Sequence, residues 1–201
     1  AALALMVVSL GTAADGDDKV VLTVGLSNDY DSFNPLVGVE VPDFEVWNLQ
    51  YATLTDKAAA DFAPIPGLAE SWVESNGGKT YTYTLREGVQ WSDGEPLTAE
   101  DVVYTINRSR DEEWLNHYST VQNLTAKAID ERTVELTSSV PDPKLPVMDV
   151  YILPKHVWEK LDAKAITKAP GTDGVGSGPF TLTSAKRGES WSMVANPNYF
   201  G

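Results

Sequence analysis

Apolar positions along the chain follow three kinds of pattern, and each predicts a different element. Residues 20–26 (VVLTVGL) are almost continuously apolar, which predicts a strand covered on both faces that opens the domain. Residues 28–35 (NDYDSFNP) are turn formers, and Pro42 then begins a helical pattern in which Phe44, Trp47, Tyr51 and Leu54 recur at three- and four-residue intervals, a stripe read as core packing. From Pro64 to Trp91 the period shortens to two. Tyr81, Tyr83 and Leu85 alternate with Thr80, Thr82 and Thr84, as a half-buried strand requires, and Asn76-Gly77-Gly78 joins that strand to residues 71–74 as a hairpin. After a second turn at Ser92-Asp93-Gly94, Thr98 is a helix cap with Asp101 as the acidic partner of a capping-box variant, and Val102, Val103 and Ile106 form the buried face. Residues 123–130 and 133–137 flank Glu131-Arg132 as a second hairpin. Residues 154–161 (PKHVWEKL) read as a short helix with proline near its first turn, and residues 169–177 (APGTDGVGS) as a Gly-rich loop. Two short strands, 180–183 and 191–195, close the chain around Arg187-Gly188-Glu189. Strand, mixed insertion and strands again read as mixed α/β (α+β), with the first and last segments in one sheet and the middle as a subdomain.

Length, charge and cysteine content then narrow the possibilities. A chain of 201 residues can bury one sizeable core or two small ones. Its 15 Lys and Arg against 29 Asp and Glu leave a net charge of −14, which repels nucleic-acid backbones and anionic lipid faces. Without cysteine there is no disulfide framework, thiolate nucleophile, Cys-ligated zinc or lipid-bearing cysteine. Residues 1–14 (AALALMVVSLGTAA) end in small residues before Asp15-Gly16-Asp17-Asp18 and have the form of a residual secretory signal peptide without its charged start; a buried helix or strand is the competing reading. The run is too short to span a bilayer. The expectation is an exported protein beginning near Asp15. Gly201 follows directly on a strand-like stretch, so the chain reads as a fragment.

Catalytic patterns are weak. In Gly174-Val175-Gly176-Ser177-Gly178 the serine is misplaced for a nucleophile elbow, and Pro179 stands where a phosphate-binding helix would start. His117 and His156 lack ligand-spaced acidic neighbours, so no metal site is expected; each reads as partly exposed or hydrogen-bonded. Glu100-Asp101 and Glu112-Glu113 read as solvated surface, with a two-carboxylate hydrolase as the alternative. The six Trp and eight Tyr suit both core packing and a cleft for a polar organic ligand.

Longer motifs carry a resemblance. Pro66-Gly67-Leu68-Ala69-Glu70-Ser71-Trp72, the stretch from Tyr81 to Gly94 (YTYTLREGVQWSDG) and that from Pro96 to Tyr104 (PLTAEDVVY) resemble the signature of family 5 extracellular solute-binding proteins, the dipeptide, oligopeptide and nickel receptors of ABC importers. Phe33-Asn34-Pro35-Leu36, Gly176-Ser177-Gly178-Pro179-Phe180 and Asn196-Pro197-Asn198-Tyr199-Phe200-Gly201 match in the same order. The resemblance implies a periplasmic-binding-protein-like class II fold, here a partial first lobe with the family's extra subdomain. Its implied divisions are 1–14 residual signal peptide, 15–46 first part of lobe I, 47–175 extra subdomain, and 176–201 return into the lobe I sheet, with lobe II absent. It further implies a periplasmic or extracellular receptor at the cell envelope, monomeric at full length, binding oligopeptides or dipeptides and delivering them to a membrane permease by clamshell closure. No catalysis, cofactor, metal or nucleic acid is implied. Val39, Glu40 and Val41 are similar in position to the segment lying against ligand in peptide-binding relatives, and Tyr118 to a ligand-facing tyrosine. A plain loop and a packing aromatic are the competing readings, and an exported acidic hydrolase or a surface interaction module are the alternative functions.

Overall fold

The computed structural model describes residues 9–10, 20–26, 28–171 and 174–201. Most of the expected signal peptide, 1–14, lies outside them. The opening strand is the largest departure from expectation. β1 (Ser9–Leu10) and β2 (Leu22–Thr23) form a two-residue antiparallel ladder, and the run around β2 is bare, with Val20 87%, Val21 59% and Leu22 65% exposed. An apolar run states that a segment needs cover, but no other strand among the described residues pairs with β2 to supply it.

α1 (Val41–Gln50) starts where Pro42 fits the first turn, and Asp43, its third residue, accepts the Glu40 backbone N–H at 3.0 Å. The expected stripe only partly holds: Trp47, Tyr51 and Leu54 are buried, but the helix ends at Gln50 and Phe44 is 40% exposed. Pro42, Asp43, Val46, Trp47 and Gln50 face inward instead. β3 (Thr55–Lys57) and β4 (Pro64–Pro66) make a short hairpin; only Pro64 onward was expected to be sheet.

The central sheet joins two hairpins edge to edge. β5 (Ala69–Ser75) and β6 (Thr80–Leu85) turn through Asn76, Gly77 and Gly78, all with positive φ, and β7 (Leu124–Ala128) and β8 (Thr133–Ser138) form the second pair. The antiparallel order is β5-β6-β8-β7. α2 (Ala99–Asp111) crosses between the hairpins and packs on the sheet through Val102 and Ile106; Val103 is only half-buried. Its Thr98 capping box is present, with Asp101 accepting the Thr98 N–H at 2.9 Å. The expected alternation places Tyr81, Tyr83 and Leu85 in this main core beside Trp91, Leu124, Val134 and Leu136.

Three short helices follow: α3 (Leu115–Val121), α4 (Lys155–Trp158), within the short helix expected over 154–161, and α5 (Ala163–Ile166). Helices α4 and α5 join α1 in enclosing a second cluster of Leu36, Trp47, Tyr51, Trp114, Tyr151, Leu153, Trp158 and Ile166, while α3 sends Val121 into the main core. Finally β9 (Phe180–Lys186) and β10 (Ser190–Ala195) form a hairpin longer than expected. Its Leu182 packs with Phe33 and Val46, so the beginning of the described chain, α1 and the closing hairpin share a third cluster, although β2 and β9 share no ladder.

The Gly176-Ser177-Gly178 motif proves architectural. A Cβ at either glycine would collide with the Leu49 and Gln50 carbonyls at the end of α1; instead Gly178 N–H donates to Gln50 O at 2.8 Å and Ser177 Oγ accepts the Ala52 N–H at 3.1 Å. The unpaired carbonyls of a helix end are satisfied by a backbone that only glycine allows so close.

Candidate functional site

Asp43 organises the segment before α1. Fully buried, it accepts the backbone N–H groups of Asp31 at 2.8 Å and Ser32 at 3.2 Å through Oδ1, and that of Glu40 through Oδ2. Asn34, also buried, donates to the carbonyls of Ile166 at 2.8 Å and Ala169 at 3.0 Å and accepts the Leu36 N–H. Gly38 sits so close that an added Cβ would stand 2.6 Å from Asp43 Oδ2 and 2.7 Å from the Trp47 ring. The loop is therefore fixed from within while its next three residues face outward: Val39 is 59% and Val41 68% exposed, and Glu40 is exposed as well. The Val39 N–H donates to no other described residue, and its C=O accepts from none.

α3 abuts this loop. Asn116 donates both amide hydrogens, to Pro35 O at 3.0 Å and Gly38 O at 2.7 Å, and so ties the helix carrying Tyr118 to the loop carrying Val39, Glu40 and Val41. Tyr118 is half-buried. The four residues singled out in the sequence thus lie on two adjoining elements.

Between α1, α3 and residues 149–151 lies a hollow of about 260 Å³ lined by Phe44, Asn48, Asn116, His117, Asp149 and Tyr151. Tyr151 OH donates to Asn48 Oδ1 at 2.9 Å, and burial, followed by the nearby Asp149 charge, pushes the phenol up to about 12. Asp149 is paired with Lys57. His117 is buried, not partly exposed; its Nδ1 lies 3.2 Å from Ser109 Oγ, its Nε2 has no partner among the described residues, and desolvation pushes it down to about 4, so it is neutral at pH 7. Sequence reading missed this hollow because its lining comes from three distant stretches, and only the two histidines stood out as singular residues. His156 does match expectation, partly exposed and 2.8 Å from Asp93.

The remaining chemistry is sparse. No group of three or more His, Cys, Asp or Glu among the described residues could hold a metal ion, and none of the helices described is long and apolar enough to cross a membrane. A second depression, about 440 Å³ between Thr98, Glu100 and residues 128–131, is a shallow acidic surface.

Comparisons with known proteins agree with this architecture. Protein XP55 of Streptomyces lividans is 34% identical over 95% of this chain and 35% of its own length. The dipeptide-binding protein DppE of Bacillus subtilis is 30% identical over 90% of this chain and 36% of its own. Among solved structures, the oligopeptide-binding protein AppA of B. subtilis in complex with a nonapeptide superposes with a TM-score of 0.77 at 28% identity, covering 85% of this chain and 35% of that one. The chain therefore spans about a third of the length of the relatives it matches. Its mixed α/β fold is of the periplasmic-binding-protein kind, as the sequence motifs imply. The family model described as bacterial extracellular solute-binding proteins, family 5 Middle, matches residues 63–201, and by that match this chain belongs to the family 5 extracellular solute-binding proteins.

Proposed function

We propose that this chain forms one wall of the ligand cleft in an exported solute-binding receptor of an ABC importer, with short peptides as cargo. The observation that carries this reading is the loop of Val39, Glu40 and Val41: held by Asp43 and Asn116, it leaves the Val39 backbone polar groups at the surface without a partner among the described residues. An extended peptide can pair with such backbone as an added strand would, which gives affinity without selecting side chains. The names of the dipeptide-binding and nonapeptide-bound relatives support the cargo class. Residues 15–46 and 176–201 belong to the main part of the first lobe and 47–175 to its extra subdomain, a division supported by the cluster that joins Phe33, Val46 and Leu182. In the two-lobed, monomeric, full-length protein the second lobe closes over the cargo, and the closed form docks on a membrane permease. Tyr118 faces the cargo from α3, and no bond of the cargo is broken.

Isothermal titration of the full-length protein with dialanine, trialanine and pentaalanine tests this. Saturable binding of at least one is expected. Absence of both heat and thermal stabilisation with all three, or their hydrolysis during the titration, overturns it.

A further inference from the structure

We propose that Asn116 is a positioning residue for cargo: without touching the peptide, it aims the Val39 N–H at a cargo carbonyl. The inference rests on the receptor reading above and names the residue on which the loop's grip depends. Three observations carry it. First, the backbone groups on either side of Val39 are all engaged. Gly38 N–H donates to Asn34 O at 3.3 Å, and Gly38 C=O accepts from Asn116 Nδ2 at 2.7 Å. Glu40 N–H donates to Asp43 Oδ2 at 3.0 Å, and Glu40 C=O accepts the Asp43 N–H at 3.1 Å. Val39 between them is exposed and has no partner for its N–H or C=O among the described residues.

Second, the planarity of the peptide bond turns these contacts into aim. The Gly38 C=O and the Val39 N–H belong to one trans peptide unit, so they point in opposite directions across a rigid plane. By gripping that carbonyl, Asn116 directs the Val39 N–H away from its own amide. Asp43 acts likewise on the next unit, where the Glu40 N–H it holds opposes the Val39 C=O. Third, Asn116 is the long-range tie of the loop. Its bonds to Pro35 O at 3.0 Å and to Gly38 O are, among the described residues, the only hydrogen bonds that reach residues 35–40 from beyond 34–43. Gly38 has no side chain to restrain its own rotation, and an added Cβ would collide with Asp43 and Trp47, so rigidity at this unit has to come from outside it. A carboxamide supplies two donors on one nitrogen, as two carbonyls require. A peptide that pairs with a backbone already held in place is spared the cost of ordering it.

The experiment uses the full-length protein and whichever of dialanine, trialanine and pentaalanine binds best, with analogues in which sulfur, a weaker acceptor, replaces one peptide carbonyl oxygen. In the unmodified protein one such replacement is expected to weaken binding about fivefold, the effect of one impaired hydrogen bond. Asn116→Ala suits a helix, and Asn116→Asp keeps the shape and puts an acid in the first turn of α3, so both leave the helix standing while removing both donors. Each variant should bind the parent peptide about tenfold more weakly. In each, the sulfur-sensitive analogue should come within about twofold of its parent, because the bond it probes is no longer aimed. A merely structural role would weaken parent and analogue alike. Amide exchange in the cargo-free variants should quicken at Gly38 and stay unchanged at Asp31 and Ser32, which Asp43 holds. The positioning role is overturned, and the receptor reading left standing, by any of five results: unchanged parent affinity in both variants, equal weakening of parent and analogue, indifference of the unmodified protein to every sulfur replacement, quickened exchange at Asp31 and Ser32 as well, or unfolding of both variants. Failure of every oligoalanine to bind the unmodified protein overturns both.

Discussion

At the scale of single residues, burial decides chemistry that residue type leaves open. The two histidines differ in nothing visible along the chain, yet His156 rests near the surface beside Asp93 while His117 is enclosed by α2 and α3. The consequence is a pH dependence of known sign. His117 titrates at about 4 when folded, and near its ordinary value of about 6.5 when unfolded. Between those values the unfolded chain binds more protons, so stability rises with pH through the window and is lost as pH falls from 6.5 toward 4; above 6.5 neither state is charged. The total loss is roughly 3 kcal/mol. Denaturant midpoints measured from pH 7.5 to 4 on the protein and on His117→Leu should diverge, the variant lacking this part of the slope. Parallel curves would refute the assignment. Gly176 and Gly178 illustrate the same point from the backbone side: both read as loop glycines in sequence, and both are required, as is Gly38, by a close approach that only folding creates.

At the scale of elements, local signals were legible wherever partners lie close in the chain. The two hairpins, their turns, the Thr98 cap and the alternation of Tyr81, Tyr83 and Leu85 all follow from short-range rules and all appear in the structure. What local rules do not disclose is that both capping acids also hold distant segments. Asp101 accepts the Lys155 N–H at 2.9 Å and so anchors α4, while Asp43 holds the backbone of Asp31 and Ser32. Removing a cap hydroxyl costs about 1 kcal/mol. Removing a buried acceptor that serves several amides costs more, because each amide is left unpaired; about 3 kcal/mol is expected. Asp43→Ala should therefore lower stability by clearly more than Thr98→Ala in chemical denaturation, and amide exchange should accelerate at Asp31, Ser32 and Glu40. Equal losses in the two variants would show that Asp43 is only a cap. α4 lies within the short helix read over 154–161, whereas α3 and α5 escaped periodicity because they are held by packing, Val121 in the main core and Ile166 in the aromatic cluster, and not by an amphipathic stripe of their own.

At the scale of the whole molecule, the balance of covered and uncovered apolar surface is the informative quantity. Residues 20–26 have the composition of a buried strand and the exposure of a surface one, and Val194 and Phe180 on the closing hairpin are also open. Such edges associate. Sedimentation velocity of the 201-residue chain should show concentration-dependent self-association that Val20→Lys with Leu22→Lys reduces; a monomer at all concentrations would count against it. The sequence by itself determined the family, the mixed α/β class, the hairpins and the capped helix, because period, turn chemistry and ordered motifs are properties of neighbours along the chain. It also marked Val39, Glu40, Val41 and Tyr118, although only through likeness. The tertiary structure alone decided that the loop and α3 adjoin, that Asn116 ties them, and that His117 is neutral beside a hollow lined from three stretches. Distance, desolvation and cavity shape arise between residues far apart in sequence, and they exist only once the backbone has brought those residues together.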